Sequence, residues 1–239
     1  MTQKTQQSSD HSSVLAAYEA VKARIQAACL AANRAPDEVH LLAVSKTRPS
    51  QAVAELAKLG QRAFGENYVS EGVEKANALA SLQLEWHFIG PIQSNKTRAI
   101  AETFDWVHSV DRPKVIGRLN DQRPSDAPPL NVLIQVNMDD ETQKAGCRPD
   151  DIPALAEAID QCPHLTLRGL MAIPQPRTDR QAQLDVFQSL AAHYQQLAKA
   201  HPTVDTLSAG MSDDLEAAIF AGANLVRIGT ALFGPRSKA

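Results

Sequence analysis

The stretch VHLLAVSKTRPS, Val39–Ser50, decides how this chain is read. Its first half is a short apolar run with no polar alternation, the pattern of a strand buried on both faces, as in a parallel sheet. Its second half is a turn through Lys46, Thr47, Arg48 and Pro49. The turn leads into QAVAELAKL, Gln51–Leu59, whose apolar residues recur at helical spacing and which Gly60 closes. The turn holds no glycine, whereas an open dinucleotide-binding sheet needs a Gly-rich turn at this place.

Outward from this unit, the same pattern recurs. RAFGE (62–66) is a strand followed by a helix to Ala80. LEWHFIG (84–90) precedes a helix over 94–102, and DWVHSV (105–110) precedes a helix from Pro113. The Pro-rich loop DQRPSDAPP (121–129) leads to the strand LNVLIQVNM (130–138) and a helix over 153–161. TLRGLMAI (166–173) precedes a long helix over 179–200. VDTLSAG (204–210) precedes a helix over 213–221, and NLVRIG (224–229) is the last strand. Eight strands alternating with helices predict an α/β fold, a single (β/α)₈ TIM-type barrel. Val14, Ala17, Val21, Ile25, Ala28 and Leu30 mark an extra N-terminal helix from Ser13 to Asn33. Only TALFGPRSKA follows the last strand, so this extra helix is expected to stand where an eighth helix would. Residues 1–12, rich in Gln, Ser and Thr, are expected to form a disordered tail before a barrel domain over 13–239.

The length of 239 residues suits one such barrel, for which roughly 250 is typical. Apolar residues make up 44% and charged residues 21% of the chain, the composition of a soluble globular protein. The net charge of −3 leaves no basic excess to drive nucleic-acid binding. The longest apolar run, Ala27–Ala32, has six residues; a membrane span needs about 20. The first residues are polar and carry no apolar signal core. Cys29, Cys147 and Cys162 are odd in number and show no CxxC spacing, which argues against a disulfide framework or a cysteine zinc site. A reduced, cytoplasmic protein is expected.

Active sites of such barrels form at the C-terminal strand ends, where this sequence places Lys46, Asn67, His87, Ser109, Asn137, Met171, Ser208 and Arg227. Lys46 shares a strand face with Leu42 and Val44. If those two fill the barrel, Lys46 points into its mouth, where a desolvated lysine becomes a nucleophile for an aldehyde. On position alone the commoner reading is a strand-end lysine that snorkels to water. Arg227 alternates with Leu225 and Gly229 onto one face, and an inward arginine needs a partner, a structural carboxylate or a ligand atom. SAGMSDDLEA (208–217) joins a strand to a helix start, and with Gly229 and Thr230 it offers a phosphate cradle. Helix capping by Asp213 with Glu216 is the plainer alternative. His87 reads as a packed core histidine, and Lys96 with Arg98 as a solvated face. No metal site is expected, and neither a GxSxG elbow nor a P-loop is present.

AVSKTRP (43–49), FGENYVSE (64–71), WHFIGPIQSNKTR (86–98), LSAGMSDDLEAAI (207–219) and VRIGTALFG (226–234) together resemble the pyridoxal-phosphate homeostasis protein family, over about residues 14–235. The resemblance implies a barrel similar to the N-terminal domain of alanine racemase. It implies that Lys46 carries pyridoxal 5′-phosphate (PLP) as a Schiff base, the internal aldimine. By the same resemblance Ser208, Gly229 and Thr230 hold the phosphate, and Met211 and Ser212 line its loop. Arg227 faces the pyridine nitrogen, and Asn67 lies near the ring and its 3-hydroxyl. Arginine has no acceptor, so it leaves that nitrogen unprotonated and the ring a weak electron sink. This suits a racemase or a protein without turnover, and disfavours decarboxylation and transamination. A two-base racemase also needs a second acid/base group, and of Tyr18, Tyr68 and Tyr194 only Tyr68 is near a strand end. The implied function is a PLP-binding protein of intracellular vitamin B6 homeostasis, without efficient turnover, that delivers PLP to apo PLP-dependent enzymes. The alternative is a PLP-dependent racemase of small amino acids; a weaker third is an adaptor that reports B6 status. A monomer is expected, with neither nucleic acid nor membrane as partner.

Overall fold

Short apolar strands with helical crossovers leave one economical arrangement, and the computed structural model has it. The structure describes residues 2–139 and 145–235, with side chains from Val14 onward. The strands are β1 (His40–Val44), β2 (Ala63–Glu66), β3 (Glu85–Phe88), β4 (Trp106–Val110), β5 (Leu130–Gln135), β6 (Leu165–Met171), β7 (Thr206–Ser208) and β8 (Leu225–Ile228). They pair in chain order, all parallel, and β8 returns to β1 with Leu42 opposite Arg227 and Ala43 opposite Ile228. The closed (β/α)₈ barrel expected from the sequence is therefore the fold.

Strand alternation sorts the core into two layers. Ala43, Phe64, Val107, Val132, Ile134, Val226 and Ile228 belong to the large apolar layer shared with the helices. Leu42, Val44, Ile89 and Leu225 form a small inner cluster, and Trp106, Leu133 and Met171 form another. These inner clusters do not fill the barrel alone. The buried polar residues His87, His108, Gln135, Ser208 and Arg227 complete it. β6 pairs with β5 through a register shift at Val132/Leu133, where Gly169 has φ +144°.

The helices are α1 (Thr2–Ala31), α2 (Ser50–Lys58), α3 (Val69–Ala78), α4 (Thr97–Thr103), α5 (Pro113–Gln122), α6 (Ile152–Asp160), α7 (Arg180–Ala200), α8 (Leu215–Phe220) and α9 (Thr230–Phe233). α1 packs against α2, α8 and α9, the position an eighth crossover helix would take. Two arginines fasten it there. Arg24 donates from Nε and Nη2 to both carboxylate oxygens of Glu216, at 2.9 Å each. Arg34 Nη1 donates to the carbonyls of Ile219 and Ala223 at the end of α8, at 2.9 and 2.7 Å. The helical backbone of α1 starts at Thr2, where the sequence reading has a disordered tail to residue 12. Thr2–Ala31 contains neither Gly nor Pro, so nothing in it interrupts a helix.

The capping box read from Asp213 and Glu216 does not form. The N-cap of α8 is Asp214, and Glu216 is occupied by Arg24. Asp179, which the sequence reading places inside α7, is its N-cap, with its carboxylate accepting from the Ala182 N–H at 2.7 Å.

Candidate cofactor site

The loop after β1 is held from below by a buried ion cluster. Lys75, on the inner face of α3, is nearly fully buried. It donates to the Ser45 carbonyl at 2.7 Å, to Glu66 Oε1 at 2.6 Å and to Glu71 Oε1 at 2.7 Å. Ser45 Oγ donates to the same Glu66 oxygen at 2.6 Å. Burial pushes the Glu66 carboxyl above the ordinary carboxylate range, and the bonds from Lys75 and Ser45 pull it back. On this base the chain makes its turn. Lys46 follows Ser45, and Thr47 then adopts φ +63°, the left-handed region that a β-branched residue rarely enters. The Thr47 N–H donates to Glu71 Oε1 at 2.6 Å, which fixes that conformation. A strained residue locked by a carboxylate that a buried lysine holds, directly after a strand-end lysine, is a mark of a functional turn.

The same loop reaches β8. Arg48 Nη2 donates to the carbonyls of Gly234 and Pro235 at 2.5 and 2.9 Å. A Cβ on Gly229 would lie 3.3 Å from the Val44 carbonyl oxygen, so the backbones that end β1 and β8 are in contact. Lys46, Gly229 and Thr230 are thereby brought to one side of the mouth.

Asn67 follows β2, on the neighbouring strand. A Cβ on Gly90 would lie 2.1 Å from the Asn67 carbonyl oxygen, so only glycine permits this approach. The Gly90 carbonyl in turn accepts from Ser109 Oγ at 2.6 Å. Asn67 Oδ1 is buried and has no hydrogen-bond partner in the protein, a cost that a bound donor removes. Among the described residues it is one of three such side-chain atoms, and another is the outer oxygen of the neighbouring Glu66.

Arg227 lies deeper. Its Nη1 donates to Ser208 Oγ and its Nη2 to the Ala172 carbonyl, at 2.8 Å each. Burial pushes the Arg227 guanidinium down to about 10, against the pull of Asp214, so it remains a cation at neutral pH. Burial also raises the Asp214 carboxyl, which accepts from the Met211 N–H at 2.6 Å and shapes the loop after β7.

Ser208 is fully buried, and its hydroxyl is engaged by Arg227 and His108 inside the barrel. Met211, Ser212, Gly229 and Thr230 stand at the partly open rim. The residues expected around one ligand thus occupy two depths. Met171, which the sequence reading also places at a strand end, is fully buried against Trp106 and Leu133. Lys96 and Arg98 lie on an exposed face, as read.

His87 is not the isolated core histidine of the sequence reading. Its Nδ1 lies 2.8 Å from His108 Nε2, and its Nε2 lies 2.8 Å from Glu85 Oε1. The sequence reading also passed over Glu66, Glu71 and Lys75. Their signal was present: Lys75 follows Gly72 at helical spacing on the stripe of α3 that faces the barrel, and a lysine there needs buried carboxylates. Among the described residues no group of three or more His, Cys, Asp or Glu is placed to hold a metal ion.

The family of the alanine racemase N-terminal domain matches residues 18–237. Alanine racemase from Corynebacterium glutamicum shares the fold at a TM-score of 0.64 and 17% identity, over 92% of this chain and 62% of that one. PipY of Synechococcus elongatus, solved with PLP bound, superposes at a TM-score of 0.74 with 36% identity, over 82% of this chain and 93% of that one. The pyridoxal phosphate homeostasis protein of Pseudomonas aeruginosa is 59% identical over 216 residues, 90% of this chain and 93% of that protein. Its counterpart in Escherichia coli K12 is 53% identical over 219 residues, 90% of this chain and 94% of that protein. Fold and site thus define a barrel of the alanine racemase N-terminal class. Within that class, the chain belongs to the pyridoxal phosphate homeostasis protein family.

Proposed function

We propose that this protein binds pyridoxal 5′-phosphate and serves its intracellular homeostasis, with Lys46 as the point of covalent attachment. The observation that carries the reading is the Lys46 turn. A strained Thr47 and a buried Glu66–Lys75–Glu71 cluster fix it, at a mouth shared with the unspent Asn67 acceptor and the buried Arg227 cation. The names of the close relatives and the PLP-bound PipY neighbour support the choice of ligand.

The residues fit the group. Lys46 would hold the cofactor through its amine, at the aldehyde carbon, with water as the leaving group. Arg227 offers donors to the pyridine nitrogen and has no acceptor, so that nitrogen keeps its lone pair. Asn67 Oδ1 accepts from the ring hydroxyl. Gly229, Thr230, Met211 and Ser212 form the rim that takes the phosphate, with Ser208 beneath them. When bound, the cofactor supplies an electron sink, and pairing its nitrogen with arginine weakens that sink.

Storage without efficient turnover is the reading favoured by the tyrosines. Tyr18 lies on α1 and Tyr194 on α7, both outside the barrel. Tyr68 is 54% exposed beside Asn67, the one feature that favours the racemase alternative. Residues 13–239 act as one domain, a cytoplasmic monomer that hands PLP to apo-enzymes; no helix among the described residues is long and apolar enough to cross a membrane. The test compares PLP binding by native protein and Lys46→Ala, together with L- to D-amino-acid conversion by native protein. Binding lost in the variant, with racemisation no faster than with free PLP, is expected. Racemisation well above that of free PLP would establish the enzyme reading instead.

A further inference from the structure

A chain of polar side chains runs through the barrel from one end to the other. At the N-terminal end of the strands lies a cavity of about 620 Å³, bordered by α1. Glu85, half exposed there, meets the buried His87 at 2.8 Å; His87 meets His108 at 2.8 Å; His108 Nδ1 meets Ser208 Oγ at 3.1 Å; and Ser208 meets Arg227. The rings are held in place. His87 stacks on Trp106 at 5.3 Å and 6°, and the Arg168 guanidinium lies 4.7 Å over the other ring system of that stack.

Each contact needs one hydrogen, and the two ends of the chain set the direction: Arg227 can only donate, and the ionised Glu85 carboxylate can only accept. Ser208 Oγ accepts from Arg227, and with one hydrogen on each imidazole its own hydrogen goes to His108 Nδ1. Burial, with His87 and Arg227 nearby, holds His108 well below the ordinary histidine range, so it is neutral and carries its one hydrogen on Nε2. That hydrogen goes to His87 Nδ1. The hydrogen of His87 is then on Nε2 and goes to the Glu85 carboxylate, which this bond holds below the ordinary glutamate range. The opposite polarity would turn the lone pair of His87 Nε2 toward an ionised carboxylate.

We propose that His87 and His108 are positioning residues: with Glu85 and Ser208 they form a directional relay that aims the Ser208 oxygen at Arg227 and makes the ring end of the site respond to protonation. The proposal rests on reading Arg227 as the partner of the cofactor ring. The relay can store one proton. His108 passes its Nε2 hydrogen to His87 and takes that of Ser208, and a proton arriving at the mouth restores the hydroxyl. The added charge rests on His87 against Glu85, Ser208 then accepts from both His108 and Arg227, and its hydroxyl hydrogen turns away from the barrel interior. Nothing is oxidised or reduced. The charged groups that face this path are Glu85, Asp105 and Arg168 at the His87 end, and Asp214 and Arg227 at the Ser208 end. Lys22, His40, Arg62 and Asp205 border the cavity around Glu85.

Two measurements test it. Imidazole ¹⁵N shifts of the ligand-free protein at neutral pH are expected to show the Nε2–H form for both His87 and His108. A His108 Nδ1–H form, or averaging between forms, would overturn the relay. The absorption band of bound PLP is then followed against pH in native protein, Glu85→Gln and His108→Gln, each checked for native melting. Native protein is expected to show a step that accompanies a change of His108 to the Nδ1–H form. Glu85→Gln lowers its midpoint by about one pH unit, the effect of removing a close counter-charge. His108→Gln abolishes the step and weakens PLP binding about tenfold, the loss of one charge-assisted hydrogen bond. Identical titrations in all three would overturn the coupling and leave the cofactor reading intact. Absence of any PLP band would overturn the cofactor reading, and the ¹⁵N shifts alone would then decide the relay.

Discussion

Lys75 shows how a residue far from any ligand decides a site. Its ammonium is shared by two carboxylates and a carbonyl, within 2.7 Å of each, in a place where water does not reach. Lys75→Met leaves Glu66 buried without its counter-charge. Removing one member of a buried pair costs about 3–5 kcal/mol, so the variant is expected to melt markedly lower than native protein and to lose PLP uptake together with the Thr47 clamp. Melting by circular dichroism with parallel PLP titration checks both. Unchanged melting would mean that the cluster is not buried as described. Glu85 carries a prediction in pH. Its folded pKa lies below its ordinary value of 4.5, chiefly through the bond from His87. Its contribution to stability is in place above that ordinary value and is lost as pH falls through the folded value. Melting temperatures taken from pH 6 downward are therefore expected to fall more gently in Glu85→Gln than in native protein.

Elements obey rules that the sequence states in part. The places of Lys46 and Arg227 were legible because each alternates with apolar residues on one strand face, and that of Asn67 because it directly follows the short strand β2. The capping box at Asp213 and Glu216 was misread because the partner of Glu216 is Arg24, separated by 192 positions and invisible to local pattern. The bulge in β6 was hidden for the same reason. Gly169 looks like any strand glycine in the sequence, yet a Cβ there would lie 1.9 Å from the Thr206 carbonyl oxygen, at φ +144°. Gly169→Ala is expected to force β6 and β7 apart at their pairing, Gly169 opposite Thr206. Poor recovery of folded protein, or a loss of several kcal/mol in chemical denaturation, is the expected result, since overpacking alone costs about 1–3 kcal/mol and strained backbone adds to it. Near-native stability would show that β6 can relax there.

At the scale of the whole molecule, closure of the sheet is what makes the site. β1 and β8, at opposite ends of the sequence, become neighbours, and only that pairing brings the end of β1, where Lys46 follows, against Gly229 at the end of β8. Regular alternation made the barrel legible, and motif residues at the strand ends made its mouth legible. The interior was not. Glu85, His87 and His108 come from adjacent strands, and their ring-to-ring contacts depend on register and shear, which hydrophobic pattern does not encode. Ser208 shows the same limit, since its position at a strand end fits a phosphate contact while its inward turn toward Arg227 depends on the closed barrel.

The central claim is the attachment of PLP to Lys46. Its most direct measurement is the ultraviolet–visible spectrum of PLP-loaded protein before and after borohydride, followed by mapping of the reduced peptide. The account predicts a visible chromophore that borohydride bleaches, with the label on the peptide containing Lys46. A protein that takes up no PLP, or label spread over Lys96, Lys199 and other exposed lysines, would contradict it.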